Sequence, residues 1–349
     1  MARNNFDVLN LVRDNVKRLK PYASARDEYN EMGDGMVFLD ANENPFETSV
    51  NRYPDPQQIH LKQKLSRLKG IPVNQILLGN GSDEVLDLVF RAFCEPKQDS
   101  VITLPPTYGM YSVLANINDV GNISIKLTDT FQPNVAEILN AATANTKILF
   151  LCTPNNPTSN SFEAESVEKL IKNFNGLVVI DEAYIDFSNQ QSCTTRLQDF
   201  PNLIVTQTMS KAYGMAGVRL GVCFASAQII AIMNRIKPPY NVNELTQRRA
   251  MERLENPKMV VEEVHSILNQ RAWLHQKLKE IPFIEHVFPS DANFILVKVD
   301  NANLRHKQLI DKGIVVRNRT REPLCENCLR FTVGTIEENR KLLSNLKTL

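Results

Sequence analysis

Residues 208–219 read Thr208-Met209-Ser210-Lys211-Ala212-Tyr213-Gly214-Met215-Ala216-Gly217-Val218-Arg219 and are the most informative stretch of this chain. They place Lys211 among small and hydroxyl residues, directly after the apolar run Leu203-Ile204-Val205. A lysine at a strand end, crowded by small residues and close to a second cation such as Arg219, has its ammonium form disfavoured. Its neutral amine can then condense with an aldehyde. Because an ordinary Gly-rich surface loop can also contain such a lysine, the interpretation depends on the rest of the chain.

Composition and charge limit the classes of protein to which the chain can belong. Its 349 residues suffice for one large domain or two smaller ones. Lysine and arginine number 40 against 39 aspartates and glutamates, so no basic field attracts nucleic acid or an anionic membrane. No apolar run approaches the ~20 residues that span a bilayer. The polar N-terminus does not resemble a signal peptide.

The cysteines and histidines predict a cytoplasmic protein without a metal site. Six cysteines show no regular framework, which is typical of reduced thiols. Cys325 and Cys328 form one CxxC, but neither a second pair nor a nearby histidine completes a zinc site. The five histidines are scattered without metal-ligand spacing.

Short apolar runs alternate with amphipathic stretches from about Ile76 to Ala225. The predicted strands are Ile76–Leu78, Val101–Leu104, Ile123–Leu127, Lys147–Cys152, Leu177–Ile180, Leu203–Thr206 and Leu220–Phe224. Predicted helices between them include Asp83–Cys94, Tyr108–Asn118 and Ala164–Asn173. This alternation predicts an α/β fold with a largely parallel sheet covered on both faces.

The pattern changes after Pro238-Pro239 and predicts a second, smaller α/β domain. A long helical region runs from about Pro257 to Glu280. Predicted strands Phe294–Val299, Ile314–Arg317 and Cys328–Val333 then alternate with helices near Leu304–Lys312 and Glu337–Leu346. The predicted boundaries are an N-terminal arm or part of the small domain at 1–35, a large domain at 36–245 and a small domain at 246–349.

Polar groups end strands or begin helices at six places in the alternating region, and ligands gather at the carboxyl ends of parallel strands. The six places are Gly79–Glu84, Pro105–Tyr108, Asn155–Thr158, Asp181–Tyr184, Lys211 and Arg219. The glycine-rich turn Gly79–Glu84 opens a helix whose free N–H groups suit a phosphate, although an ordinary capped turn is the alternative. Tyr108 could stack on a flat ring or pack as a core tyrosine.

The remaining groups complete one set. Asn156 could donate to a ring oxygen or belong to a simple β-turn. Asp181 ends a buried strand and needs a partner such as a protonated ring nitrogen; a metal-binding or helix-capping role is the alternative. Lys211 would bond an aldehyde, and the Arg219 guanidinium its phosphate. Together these groups are what pyridoxal 5′-phosphate requires of a protein.

With these residues in this order, the chain resembles the fold-type I, class II aminotransferases that use pyridoxal 5′-phosphate, and among them the histidinol-phosphate aminotransferases. The resemblance covers nearly the whole length. The segments that carry it are Pro21–Arg26, Ala41–Pro45, Asn51–Pro54, Ala92–Pro96, Pro105–Val113, Asn155–Thr158, Asp181–Tyr184, Ser210–Arg219 and Cys328–Thr335. It implies a mostly parallel seven-stranded sheet sandwiched by helices in the large domain, plus the smaller C-terminal domain.

The resemblance also implies a role for each cofactor-binding residue. Lys211 would carry the cofactor covalently and move a proton on the substrate, Asp181 would pair with the ring nitrogen, and Tyr108 would stack on the ring. Asn156 and Tyr184 would bond the phenolic oxygen. The phosphate would be held by Ser82, Asp83, Ser210 and Arg219. Tyr53 would reach the cofactor phosphate of the other subunit, which implies an obligate homodimer.

The implied reaction transfers an amino group between L-histidinol phosphate and 2-oxoglutarate, by a ping-pong mechanism, in L-histidine biosynthesis. Arg317 and Arg330 would receive the anionic groups of both substrates, since guanidinium groups bind carboxylate and phosphate bidentately. A surface-strand arginine is the alternative for each. The imidazole end would be lined by Tyr22, Asn42 and Tyr53.

Two departures from the family pattern and three rival functions stay open. Ser159 replaces the usual glycine after Asn-Pro-Thr, and Met209 replaces the usual leucine or phenylalanine before Ser-Lys. Ser159 puts the backbone angles of that turn in doubt, whereas Met209 should pack similarly. The rivals are a threonine-phosphate decarboxylase-like lyase, an aromatic amino acid aminotransferase and a non-catalytic binding module of the same fold.

Overall fold

Strand–helix alternation produces two sheets in the computed structural model, which describes residues 6–20 and 36–349. The strands of the larger sheet are β1 (Ile76–Asn80), β2 (Ser100–Thr103), β3 (Gly121–Ser124), β4 (Thr146–Cys152), β5 (Leu177–Asp181), β6 (Leu203–Thr208) and β7 (Leu220–Ala225). They lie in the order β1-β7-β6-β5-β4-β2-β3. Strand β7 runs antiparallel to both neighbours, while the other neighbouring pairs are parallel. The predicted mostly parallel seven-stranded sheet is therefore confirmed.

Helices cover both faces of this sheet because successive strand residues point to opposite sides. In β5, Val178 and Ile180 pack into one apolar cluster, while Leu177 and Val179 pack into another. The first cluster is closed by α2 (Ile59–Lys69), α5 (Val135–Ala141), α6 (Ala164–Asn173) and α8 (Glu244–Glu255). The second is closed by α1 (Asp14–Arg18), α3 (Ser82–Phe93), α4 (Met110–Ile117) and α7 (Ala227–Ile236).

The smaller sheet is antiparallel throughout, in the order β10-β11-β9-β8. Its strands are β8 (Ile284–Val287), β9 (Phe294–Val299), β10 (Arg317–Asn318) and β11 (Cys328–Thr332). One face packs against α9 (Pro257–Leu278), α10 (Ala302–Asp311) and α11 (Ile336–Leu346). The predicted strand Ile314–Arg317 is wrong in extent, since pairing begins only at Arg317. Strand β8 was missed because Glu285 and His286 interrupt its apolar pattern.

The first described residues pack on the larger sheet's helical layer. Val8, Val12 and Val16 are buried in the same cluster as α3 and α7, and Arg13 forms an ion pair with Glu95 at 3.3 Å. The domain boundaries at 35/36 and 245/246 stay a prediction. Among the described residues, no helix combines the length and apolar character that crossing a membrane requires.

Candidate active site

One pocket lies where β4, β5 and β6 end, at the edge of the sheet where the sequence predicted a ligand. It is lined by Ser82, Asp83, Tyr108, Cys152, Asn156, Asp181, Ala183, Tyr184, Thr208, Ser210, Lys211, Ala216 and Arg219. The structure thus brings together every predicted cofactor-binding residue except Tyr53. The folding of separate strand ends to one edge explains how residues far apart in sequence meet here.

Asp181 forms the buried, acidic end of this pocket. It is the last residue of β5 and is 3% exposed. The Tyr111 hydroxyl donates to its Oδ2 at 2.7 Å, and the Ala183 N–H donates to its Oδ1 at 3.1 Å. Burial raises the pKa of Asp181 from 3.8 to about 6, although both hydrogen bonds act in the opposite direction. A cation placed against this carboxylate would favour its charged form.

Lys211 follows β6 and lies on the same pocket. Its Nζ lies 5.7 Å from the centre of the Tyr184 ring. Burial and the nearby Arg330 guanidinium lower the pKa of Lys211, while the Asp181 carboxylate acts the other way. The amine is therefore more easily deprotonated than an exposed lysine, as nucleophilic and proton-transfer roles require.

The N-terminus of α3 faces Arg219 across a very close contact. Gly81 precedes α3 with φ +80°, and no side chain caps the helix. A Cβ added to Gly81 would lie 2.5 Å from Nη2 of Arg219, so a side chain here would displace the guanidinium. Uncapped helical N–H groups beside a guanidinium form a phosphate-binding arrangement. Here the charge of Arg219 is met by Asp83 at 3.5 Å.

Hydroxyl groups and an aromatic ring complete the pocket wall. The Thr208 hydroxyl donates to Ser210 Oγ at 3.0 Å, and the Ser210 N–H donates to Thr208 Oγ1 at 3.1 Å. The Tyr108 hydroxyl donates to Asp83 Oδ1 at 2.9 Å. Burial and the Asp83 charge raise the pKa of Tyr108, so its hydroxyl stays neutral.

Arg330 reaches this pocket from β11 of the smaller sheet. Its Nη1 donates to Asn156 Oδ1, and its guanidinium carbon lies 4.9 Å from the centre of the Phe294 ring. Phe294 meets Tyr184 edge-on at 5.0 Å. Burial lowers the pKa of Arg330 to about 10, and its Nε is buried without a partner among the described residues.

The two residues that depart from the family pattern, Ser159 and Met209, are both accommodated by their neighbours. Ser159 adopts φ 65°, the left-handed conformation that glycine favours. Its hydroxyl donates to the carbonyls of Thr158 at 2.6 Å and Pro289 at 3.0 Å, which compensates for the unfavourable backbone angle. Met209 is 2% exposed and packs in the core beneath the site.

The structure does not bring the other predicted substrate residues into this pocket. Asn42 and Tyr53 line a separate cleft, where Tyr53 stacks on Tyr240 at 4.5 Å between ring centres. Arg317 lies exposed on β10, opposite Arg330 in the sheet register. Tyr22, together with the segment 21–26, lies outside the described residues.

Three contributing residues were not predicted from the sequence. Tyr111 holds Asp181, Thr208 orients Ser210, and Glu43 organises the segment around Asn42. Glu43 accepts from Arg52 Nη1 at 2.8 Å and from the Tyr53 N–H at 2.7 Å. All three lie in quoted segments, at 41–45, 105–113 and 208–219, but nothing in those segments assigned them a role. For Tyr111, the apolar pattern around it pointed to the core.

With this geometry established, a family model described as aminotransferase class I and II matches residues 38–346. The chain belongs to this aminotransferase family. It is 61% identical over 347 residues to the histidinol-phosphate aminotransferase of Flavobacterium johnsoniae, covering 99% of each chain. It is also 61% identical over 346 residues to the enzyme of the same name from Flavobacterium psychrophilum, covering 99% of this chain and 100% of that one.

A solved structure shares the aminotransferase fold. It is the histidinol-phosphate aminotransferase of Sinorhizobium meliloti in complex with pyridoxal 5′-phosphate, with a TM-score of 0.78 at 24% identity. The match covers 85% of this chain and 82% of that chain. At this identity the comparison shows the fold alone.

Pyridoxal 5′-phosphate, on which this aminotransferase family depends, fits the groups present in the pocket. Asp181 is a buried carboxylate whose raised pKa leaves it in need of a cation, and Lys211 is an amine with a lowered pKa. The uncapped N-terminus of α3, with the Arg219 guanidinium against Gly81, suits a phosphate. The described residues hold no group of three or more acidic, histidine or cysteine side chains suited to a metal.

Proposed function

We propose that this aminotransferase transfers an amino group between L-histidinol phosphate and 2-oxoglutarate, giving imidazole-acetol phosphate and L-glutamate, in L-histidine biosynthesis. The observation that carries the proposal is one pocket that joins the Lys211 amine and the Asp181 carboxylate. The incompletely bonded Arg330 guanidinium donates to Asn156 on the wall of that pocket. The high identity to enzymes of that name supports the choice of substrate.

In this proposal pyridoxal 5′-phosphate is held by the residues of the pocket. Asp181 would pair with the ring nitrogen, Tyr108 would stack on the ring, and Asn156 and Tyr184 would bond the phenolic oxygen. The phosphate would be held by Ser82, Asp83, Ser210 and Arg219. When bound, the cofactor supplies an electron-poor ring that accepts the electron pair left on Cα, and a carbon that carries the amino group.

Lys211 would act as the proton carrier as well as the covalent anchor. Its lowered pKa gives a neutral amine near pH 7 more readily than an exposed lysine does. That amine would accept the proton from the substrate Cα and return it to the product. Asp181, whose charged form the bound cofactor would favour, would in turn keep the ring electron-poor.

Arg330 and Arg317 would bind the anionic ends of both substrates. Arg330 is partly buried, and its Nε is buried without a partner among the described residues, so an incoming carboxylate or phosphate would satisfy a donor that is already desolvated. Arg317 lies opposite it on the neighbouring strand. Because both substrates carry an anion at this position, one receptor would serve each half of the reaction.

We further propose an active homodimer in which Tyr53 reaches the cofactor phosphate held by the partner subunit, and Asn42 lies near the imidazole. Tyr53 is 52% exposed in one chain and lies outside its own cofactor pocket. The same segment exposes apolar residues, with Val37 at 81%, Leu39 at 88% and Phe46 at 77%. Such a cluster is typical of a protein interface. A cytoplasmic location is the matching expectation.

An amino-acceptor assay tests the proposed reaction. The purified protein, loaded with pyridoxal 5′-phosphate, should consume histidinol phosphate only when 2-oxoglutarate is present, with glutamate formed in equal amount. Consumption without a 2-oxo acid would instead identify a lyase of the threonine-phosphate decarboxylase type. A higher kcat/KM for phenylalanine than for histidinol phosphate would identify an aromatic amino acid aminotransferase.

A further inference from the structure

We propose that Arg319 is a third anion-binding arginine of the substrate site, and that it favours a phosphate over a carboxylate. The inference rests on the proposed function, since it concerns the phosphate of the amino substrate. Arg319 lies at the edge of the smaller sheet, in the turn that follows β10.

The strand register places three arginines on one face of this edge. Arg317 pairs directly with Arg330 across β10 and β11. The ladder continues beyond β10, because the Arg319 N–H donates to the Cys328 carbonyl at 2.8 Å. Residues two apart on a strand point to the same side, so Arg319 projects on the face that carries Arg317 and Arg330. Leu329 lies on the opposite face, in the core of the small domain.

Arg319 is partly buried near Arg330 and Tyr184 rather than extended into solvent. Its side chain is 18% exposed, and its Nε has no hydrogen-bond partner among the described residues, as is also true of Arg330. Burial lowers the pKa of Arg330 and raises that of Tyr184, and Arg319 is close enough to both for its charge to act on each pKa as well. Two neighbouring guanidinium groups therefore each keep a buried donor free, which is costly unless an anion accepts from them.

The charge around these arginines is incompletely balanced. Glu322 Oε1 lies 3.6 Å from Nη1 of Arg319, and the Glu322 side chain is 35% exposed. Within the described parts of the chain, no carboxylate is within salt-bridge distance of Arg317 or Arg330. Like charges placed directly opposite each other on neighbouring strands repel. An anion bound between the three guanidinium groups would remove that repulsion.

Phosphate chemistry matches this arrangement better than carboxylate chemistry. A carboxylate has two oxygens and one charge, which the fork of Arg330 can satisfy alone. A phosphate monoester has three terminal oxygens and a charge near −2 at neutral pH, so it can accept from a second guanidinium as well. Removing Arg319 should therefore affect binding of a phosphate more than binding of a carboxylate.

Calorimetric titration of the cofactor-loaded enzyme tests this selectivity, with inorganic phosphate and glutarate as unreactive probes. Arg319→Gln should weaken phosphate binding about tenfold or more, the size expected for a lost charge-assisted hydrogen bond, and glutarate binding less than about threefold. Arg319→Lys, which keeps the charge, should give an intermediate loss for phosphate. Arg321→Gln, on an exposed arginine of the same turn, is the matched control and should change neither.

Unchanged phosphate binding in Arg319→Gln, or equal losses for phosphate and glutarate, would overturn the inference. The thermal midpoint and the visible absorption of the bound cofactor show whether each variant is folded. If Arg319→Gln does not fold, the phosphate and glutarate affinities of Arg319→Lys provide the test. Failure of the proposed function is a separate observation. It would appear as wild-type enzyme that does not transaminate histidinol phosphate, whatever the phosphate titrations give.

Discussion

Asp181 illustrates how a single buried side chain prepares a site for its cofactor. A carboxylate that is 3% exposed should be neutral or paired, yet the hydrogen bonds from Tyr111 and Ala183 stabilise the charged form. Burial therefore raises the pKa of Asp181 only to about 6, because the two hydrogen bonds oppose it. A protonated ring nitrogen next to this carboxylate would stabilise its charged form further.

This balance makes the stability of the cofactor-free protein depend on pH. Because the folded-state pKa of about 6 lies above the ordinary aspartate value of 3.8, the folded chain binds more protons between these values. Stability therefore falls as the pH rises through that window, by up to about 3 kcal/mol for such a shift. We expect cofactor-free Asp181→Asn to melt at a higher temperature than wild type at pH 8 and at a similar temperature at pH 3, below both pKa values.

Differential scanning calorimetry of the cofactor-free proteins measures this difference. Asp129→Asn, at an exposed carboxyl, is the control and should show no such pH dependence. The same stabilisation of Asp181→Asn at both pH values would mean that its charge is not the cause. With cofactor bound, the turnover of Asp181→Asn should be far below that of wild type.

Lys211 is the residue whose loss should abolish both covalent attachment and turnover. Lys211→Ala removes the only amine among the pocket-lining residues, and turnover should fall by at least the ~10²–10⁴-fold typical of a lost proton-transfer group. Borohydride treatment followed by peptide mapping should fix the cofactor to residue 211 in wild type and nowhere in the variant. Lys307→Ala, at a lysine whose side chain is 74% exposed, serves as the control. An adduct on another lysine would disprove the assignment.

At the scale of elements, the turn between β1 and α3 is shaped by a single missing side chain. Gly81 has φ +80°, and its N–H donates to the Arg219 carbonyl at 3.0 Å. This bond ties the start of α3 to the loop before β7. The proximity of the two elements is what lets the Arg219 guanidinium reach the helix N-terminus.

Gly81→Ala should therefore weaken the cofactor's phosphate site. The new Cβ would displace the Arg219 guanidinium, and the affinity for pyridoxal 5′-phosphate should fall about tenfold, as for one lost charge-assisted hydrogen bond. Fluorescence titration of the cofactor-free protein measures that affinity.

Gly70→Ala separates backbone strain from this clash. Gly70 has φ +69°, but a Cβ there would meet nothing within 4 Å. Both substitutions should cost about 1 kcal/mol of folding free energy for the left-handed backbone. Equal loss of cofactor affinity in the two variants would show that strain, not the displaced guanidinium, is responsible.

At the scale of the whole molecule, the proposed sharing of each site between two subunits predicts complementation. Lys211→Ala and Tyr53→Ala homodimers should each have little activity, since every site lacks one contributor. In a mixed dimer, one site has lost both residues and the other has lost neither. Randomly reassociated equal mixtures should regain about one quarter of wild-type activity, because half of the dimers are mixed and each has one intact site.

Mixing after mild dissociation, followed by size-exclusion chromatography and assay, measures this recovery. Lys211→Ala mixed with itself is the control. If the mixture stays as inactive as the two variants alone, Tyr53 does not serve the partner's site. A monomer at micromolar concentration would contradict the dimer directly.

The sequence alone determined the local parts of this structure. Apolar runs and their turns were enough to place the strands of the larger sheet within a few residues, and β9 was placed correctly. Asp181 and Lys211 could be predicted as site residues, because charged residues at or just after the end of an apolar strand interrupt its pattern. These features depend on short-range periodicity and on residue chemistry, which a linear chain displays.

Only the tertiary structure decided which distant groups meet. The antiparallel direction of β7, the hydrogen bond from Tyr111 to Asp181 and the shared face of Arg317, Arg319 and Arg330 leave no local trace. Each depends on strand order and register, which are set by how whole elements pack and not by their own composition. The shifted pKa values of Asp181 and Lys211 also required the tertiary structure, since the pKa of a side chain depends on what surrounds it after folding.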